Sequence, residues 1–141
     1  MERAADTIPA PARGAGYTRV NLESVEDDAA KHGFGEFGEA RFANRDLEAE
    51  RTGVSFHRIR PNRRQSFGHR HEQAEEVYVV IAGGGRVKVD DEVVELSARD
   101  AIRVAATAAR CFEGGPDGME LLAVGAHHDG DGEILPGWWT P

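Results

Sequence analysis

The sequence predicts an all-β fold, an antiparallel sandwich or barrel preceded by an extended N-terminal arm. Three observations carry this. From Gly53 onward the chain breaks into short runs rich in β-branched and aromatic residues, with almost no helical period. The runs are punctuated by Gly, Pro, Asn and Asp, the residues that reverse a chain. And 141 residues suffice for one compact domain with a real core and one functional centre, but not for two.

Taken in order, residues 1–16 are mostly Ala, Pro and Gly and cannot bury enough surface to offset the entropy of ordering, so they read as a loose arm. Residues 17–52 stay polar. Phe34, Phe37 and Phe42 are their large anchors, and NRDLEAE suits one helical turn capped by Asn44, so this segment is expected to wrap a core built elsewhere. Residues 53–141 hold the barrel and a C-terminal tail. The expected strands are 54–59, 66–71, 77–82, 86–89, 93–96, 101–104, 109–112 and 119–124. Pro61-Asn62 fits a type II turn with Asn62 at positive φ. Gly83 to Gly85, Asp90-Asp91 and Gly114 to Gly118 supply further reversals.

Charge narrows the partners. The formal balance is −8, which argues against the broad cationic surface that duplex nucleic acid or an anionic membrane requires. Residues 51–70 nevertheless hold six arginines and no acid. Arg58, Arg60, Arg63, Arg64 and Arg70 lack interleaved stacking aromatics, so nucleic acid is not the expected partner. Cys111 is the single cysteine and rules out an intramolecular disulfide. No apolar run reaches the length of a membrane span and the N-terminus lacks the apolar core of a secretory signal, so a cytoplasmic protein is expected.

The chemistry centres on SFGHRH. Side chains alternate along a strand, so Gln65, Phe67, His69 and His71 share one face. Glu76 opens the next strand with Tyr78 on its face, and a hairpin would set Glu76 opposite the two histidines. Two imidazoles and one carboxylate form the ligand set of a divalent first-row metal, and match the 2-His-1-carboxylate triad of non-haem iron.

His69-x-His71, four residues, Glu76, six residues, Gly83 resembles the first sequence motif of the cupins, small double-stranded β-helix (jelly-roll) barrels. The glycine that opens that motif is Arg63 here, with Asn62 placed to do its turn work. The second cupin motif can be laid on the chain in spacing but not in chemistry. Arg99 takes its first Gly, Ala105 the Pro, Thr107 the second Gly, Arg110 the ligand His and Gly114 the Asn. The resemblance runs from about Gly53 to Gly125. It implies a cupin-type barrel, a divalent transition metal (Fe, Mn, Zn, Ni or Cu) on His69, His71 and Glu76, and a homodimer. The family's chemistries include oxygenase, isomerase and lyase reactions beside non-catalytic binding or sensing.

Arg110 is the departure that matters, because a guanidinium offers no lone pair to a metal. Three arrangements follow. The metal stays on three ligands while Arg110 clamps a small anionic molecule, with Tyr78 and Gln65 lining the pocket. Or Arg110 pairs with Glu76 or Glu75 and leaves a metal-free pocket. Or Arg110 points out of the barrel and the histidines merely satisfy each other. Elsewhere, His57 reads as a satisfied strand histidine and Cys111 as a small buried hydrophobe. His127, His128, Asp129, Asp131 and Glu133 read as a solvated turn. Of Trp138 and Trp139, one is expected to cover the barrel and the other a partner subunit.

Overall fold

A computed structural model describes residues 8–126, 128 and 130–139. Strands β1 (Ala12–Arg13) and β2 (Thr18–Arg19) pair into a small ribbon, so part of the expected loose arm has structure, while residues 1–7 lie outside the described ones. Helix α1 (Asp28–Lys31) is capped by Asp27, whose carboxylate accepts the Ala29 and Ala30 amides and also that of Ala40. Strand β3 (Gly38–Phe42) follows, and with it the wrapping segment contributes an edge strand to the main sheet. In helix α2 (Asn44–Leu47), Asn44 is the first helical residue and not the cap expected from sequence. Its Oδ1 accepts the Val54 N–H at 2.8 Å, tying the helix to the next strand.

The barrel strands are β4 (Thr52–Ile59), β5 (Phe67–His71), β6 (Glu76–Val89), β7 (Glu92–Ser97), β8 (Ala101–Val104), β9 (Arg110–Ala126) and β10 (Gly132–Pro136). Along one path the sheet runs β10-β5-β9-β4-β3, while β6 pairs with β7, β8 and β9. All these pairings are antiparallel. The jelly-roll class expected from sequence is what the chain adopts.

Two expected reversals are corners inside long strands. Gly83 to Gly85 lie within β6 and Gly114 to Gly118 within β9, and the two strands stay paired past both glycine runs with register shifts at Val80/Ala82 and Gly83/Gly85. The physical reason is close backbone approach. A Cβ on Gly85 would stand 2.0 Å from the Glu113 carbonyl oxygen. The other two turns form as expected: Asn62 has φ 59° in a turn closed by Arg63 N–H to Arg60 C=O, and Asp90 has φ 50° between β6 and β7.

Inward-facing Ile59, Tyr78, Val80, Val104, Phe112 and Leu121 build the core. Among the described residues no helix is long and apolar enough to cross a membrane.

Candidate metal and ligand site

His69 and His71 stand on β5 at the two-residue spacing that puts both rings on the inner face, their centroids 5.1 Å apart and nearly perpendicular. Glu76 does not reach them through a hairpin as expected. β5 and β6 are not paired, and Glu76 instead sits in register with Gly125 of β9 and Val104 of β8, facing the histidines across the barrel. Its Oε1 lies 3.3 Å from His69 Nε2 and 3.0 Å from His71 Nε2. The three ligand atoms fall within 4.8 Å of one another.

Two further groups converge on the same oxygen. Tyr78 donates its hydroxyl to Glu76 Oε1 at 2.7 Å, and Arg110 Nη2 lies 3.9 Å away. Burial alone would raise the Glu76 pKa. Hydrogen bonds from His69 and Tyr78, with the nearby imidazoles, overcome it and hold the carboxyl at about 2. For Tyr78, burial first and then the Glu76 charge push the phenol well above its usual value.

Arg110 is the cross-strand partner of His69 and points inward, which removes the arrangement in which it left the barrel. Its side chain is fully enclosed (0 % exposed). Nη2 and Nη1 donate to the Ala105 and Ala106 carbonyls at 3.2 and 3.4 Å, and Nε has no hydrogen-bond partner. Gln65 is not brought to this cluster: its Oε1 accepts the Phe112 amide at 3.0 Å, continuing the pairing with β9.

Asp131 is the residue that sequence reasoning missed. Read as part of a solvated turn, it is buried, and its carboxylate accepts the Glu72, Gln73 and Ala74 amides at 2.8 to 3.0 Å. Oδ2 faces His71 Nδ1 at 3.5 Å. One carboxylate therefore fixes the loop leading to Glu76 and stands beside the imidazole, whose Nδ1 makes no hydrogen bond. Directly after it, β10 pairs with β5 along its whole length. Of the same stretch, His127 and Asp129 lie outside the described residues. Local sequence carried no signal for this, because Asp131 acts on groups some 60 residues earlier.

The other candidates find structural work. His57 Nε2 pairs with Ser55 Oγ at 2.8 Å, and burial, with a smaller contribution from His69, lowers its pKa to about 4. Cys111 is buried, and burial raises its thiol to about 12, so it is no nucleophile. The arginine segment is not aimed at the site. Arg58 pairs with Glu39 and Glu120, Arg64 with Glu113, and Arg70 with Glu133. Both tryptophans make contacts within the chain: Trp138 lies over Gly68 and beneath Lys88, and Trp139 stacks under Arg64 at 4.1 Å.

A cavity of about 150 Å³ opens onto His71 and Glu76. Asn44, Ser55, Ala123 and Gly125 are among its walls.

Comparison with known proteins agrees with this fold. No curated protein sequence matches the chain. Among solved structures, a cupin protein from Bacteroides fragilis is 20% identical over 83% of this chain and 89% of its own, with a TM-score of 0.66. A PAC13 variant from Streptomyces, solved with uridine, is 17% identical over 87% of this chain and 92% of its own, TM-score 0.63. Oxalate decarboxylase from Bacillus subtilis is 22% identical over 74% of this chain but only 30% of its own length, TM-score 0.62. At these identities the likeness is one of fold. The family profile described as the cupin domain matches residues 55–125, half of the sequence. The chain belongs to the cupin family.

Proposed function

We propose that this cupin binds a small anion beside a divalent transition metal ion (Fe, Mn, Zn, Ni or Cu) held by His69, His71 and Glu76. The observation that carries the reading is the convergence of two imidazole Nε2 atoms and one carboxylate oxygen within 4.8 Å. Their chemistry fits such an ion and leaves coordination positions open. Asp131 Oδ2 stands 3.5 Å from His71 Nδ1, short of a hydrogen bond but on the side where a ligating imidazole commonly meets an outer carboxylate. When bound, the metal supplies Lewis acidity toward a ligand oxygen.

The chain's own residues do the rest. Tyr78 and the two imidazoles hold Glu76 ionised, with Arg110 Nη2 3.9 Å from the same oxygen. Arg110 is too enclosed to grip a ligand with its planar fork, and acts through its charge, adding a positive field that favours an anion. The same charge opposes a second cation, so metal binding is expected to be weaker here than with a third histidine as fourth ligand. A soluble homodimer is the assembly that family membership supports.

A second reading rests on the Arg110–Glu76 approach of 3.9 Å together with the Tyr78 hydrogen bond: the carboxylate is already neutralised within the protein, and the barrel is a metal-free binding or sensor module for the same anion. Elemental analysis of the purified chain and Co²⁺ titration, followed by its visible absorption, separate the two. About one ion per chain, lost on His71→Ala, is the expected result and opens metal-dependent catalysis of cupin type. Metal-free protein that takes up no Co²⁺ leaves the binding module.

A further inference from the structure

The residues that sequence reasoning offered to the ligand are Arg110, Tyr78 and Gln65, yet none of them lines the cavity that reaches His71 and Glu76. The hydroxyl that does line it belongs to Ser55, on the inner face of β4. Ser55 is itself buried at 7 % exposure, and its Oγ is fixed 2.8 Å from His57 Nε2. The imidazole is in turn packed edge-on against Phe42, ring centroids 5.6 Å apart. Burial keeps that imidazole neutral at ordinary pH.

A neutral imidazole has two tautomers, and they give Ser55 different roles. With the proton on Nδ1, Nε2 takes the hydroxyl hydrogen and Ser55 shows the cavity only lone pairs. With the proton on Nε2, His57 donates to Ser55 Oγ, and the hydroxyl hydrogen is available to an acceptor in the cavity. An anion selects the second arrangement, a relay of two hydrogen bonds from His57 through Ser55 to the ligand, with no proton changing owner.

The cavity also sets a size. A volume of about 150 Å³ takes up one benzene-sized molecule, about six non-hydrogen atoms. Its walls include the small residues Gly53, Ala123 and Gly125, while Ile59, Tyr78 and Leu121 are packed in the barrel core.

We propose that Ser55, held by His57, is the ligand's second anchor, and that the ligand is a compact anion of about six non-hydrogen atoms lying between Ser55 and the His71–Glu76 face, for which small carboxylates serve as probes. This rests on the anion reading given under Proposed function. It adds the size class and places the hydrogen-bond donor on β4 instead of on β9.

The test is isothermal titration of the full chain, as purified, with oxalate, succinate and citrate at one ionic strength, repeated on Ser55→Ala. The expected order is oxalate first, succinate weaker and citrate without measurable binding, with Ser55→Ala weakening oxalate about tenfold. Citrate binding as tightly as oxalate overturns the size limit. Unchanged oxalate affinity in Ser55→Ala overturns the anchor. If the wild-type chain binds none of the three, the anion reading itself fails, and that outcome is distinct from the other two. Should Ser55→Ala not fold, the wild-type size series still decides, and Ser55→Cys, which keeps the bulk and exchanges the hydroxyl for a weak donor, replaces it.

Discussion

At position 110 a single side chain sets the character of the site. Where the resembling motif carries its remaining histidine, this chain carries a guanidinium that is fully enclosed, bonded to two backbone carbonyls and 3.9 Å from Glu76. A buried cation persists only when its charge is answered, and here Glu76 answers it. Glu76 thereby serves two masters, as metal ligand and as counter-ion, and its strongly lowered pKa reflects the crowd of donors around one oxygen. Replacing the arginine separates the two roles. Arg110→His removes the competing positive charge and returns an imidazole to the cross-strand neighbour of His69. The variant is expected to bind Co²⁺ or Zn²⁺ at least about tenfold more tightly than the wild type, read by competition with a chromogenic chelator. Equal affinity in the two proteins would mean that β9 does not present position 110 to the metal. The triad was legible from strand alternation and spacing, whereas Arg110 stood out only through the resemblance to the second cupin motif. The inward direction of Arg110, the engagement of Gln65 by Phe112 and the clamp made by Asp131 were not legible, because each depends on which strand lies alongside.

Among the elements, β5, β7 and β8 form within a residue of their expected bounds, whereas β6 and β9 are each one long strand where sequence suggested two. Glycine is the reason. It marks a reversal and a close strand contact in the same way, and only the partner distinguishes them: a Cβ on Gly83, at φ 69°, would stand 2.1 Å from the Gly118 carbonyl oxygen. The turn before β8 shows the converse case. Arg99 occupies the place of the second motif's first glycine, and it adopts φ 75° with its N–H bonded to the Val80 carbonyl at 2.8 Å. The backbone still has the shape a glycine would take, while the residue does not suit it. A left-handed conformation costs an L-residue about 1–2 kcal/mol, and glycine returns part of that as extra freedom in the unfolded chain, about 0.5–1 kcal/mol. Arg99→Gly should therefore stabilise the protein by about 0.5–1 kcal/mol, seen as a rise of about 2 °C in Tm by calorimetry. A fall in Tm would show that the Arg99 side chain holds the turn by contacts that outweigh the strain.

For the molecule as a whole, charge is arranged by the fold and not by position in sequence. Within the six-arginine window Arg58, Arg64 and Arg70 are matched by acids 19 to 63 residues away, while Arg110, from outside that window, is enclosed in the barrel beside Glu76. Stability should consequently depend on pH through buried groups more than through the surface. His57 decides the upper part of that dependence. Its folded pKa is about 4 against an ordinary 6.5, because burial penalises the imidazolium. Between those values the unfolded chain binds a proton that the folded chain refuses, so unfolding becomes easier as pH falls from 6.5 toward 4, and the loss levels off below the folded pKa. The shift corresponds to at most about 3 kcal/mol. His71, lowered chiefly by burial, adds a contribution of the same sign. The carboxylates act lower down: Glu113 is held below its usual range by Arg86 and Arg64 against the opposing effect of burial, so its contribution is complete above the ordinary carboxylate pKa and is lost only as pH falls through the folded value. Urea unfolding between pH 7.5 and 4 is thus expected to show stability declining before most carboxylates titrate. In His57→Gln, which keeps an amide donor for Ser55 and cannot titrate, the decline between pH 6.5 and 4 should flatten. If wild type and His57→Gln lose stability in parallel over that interval, His57 is not the group that titrates, and the imidazole is charged in the folded protein.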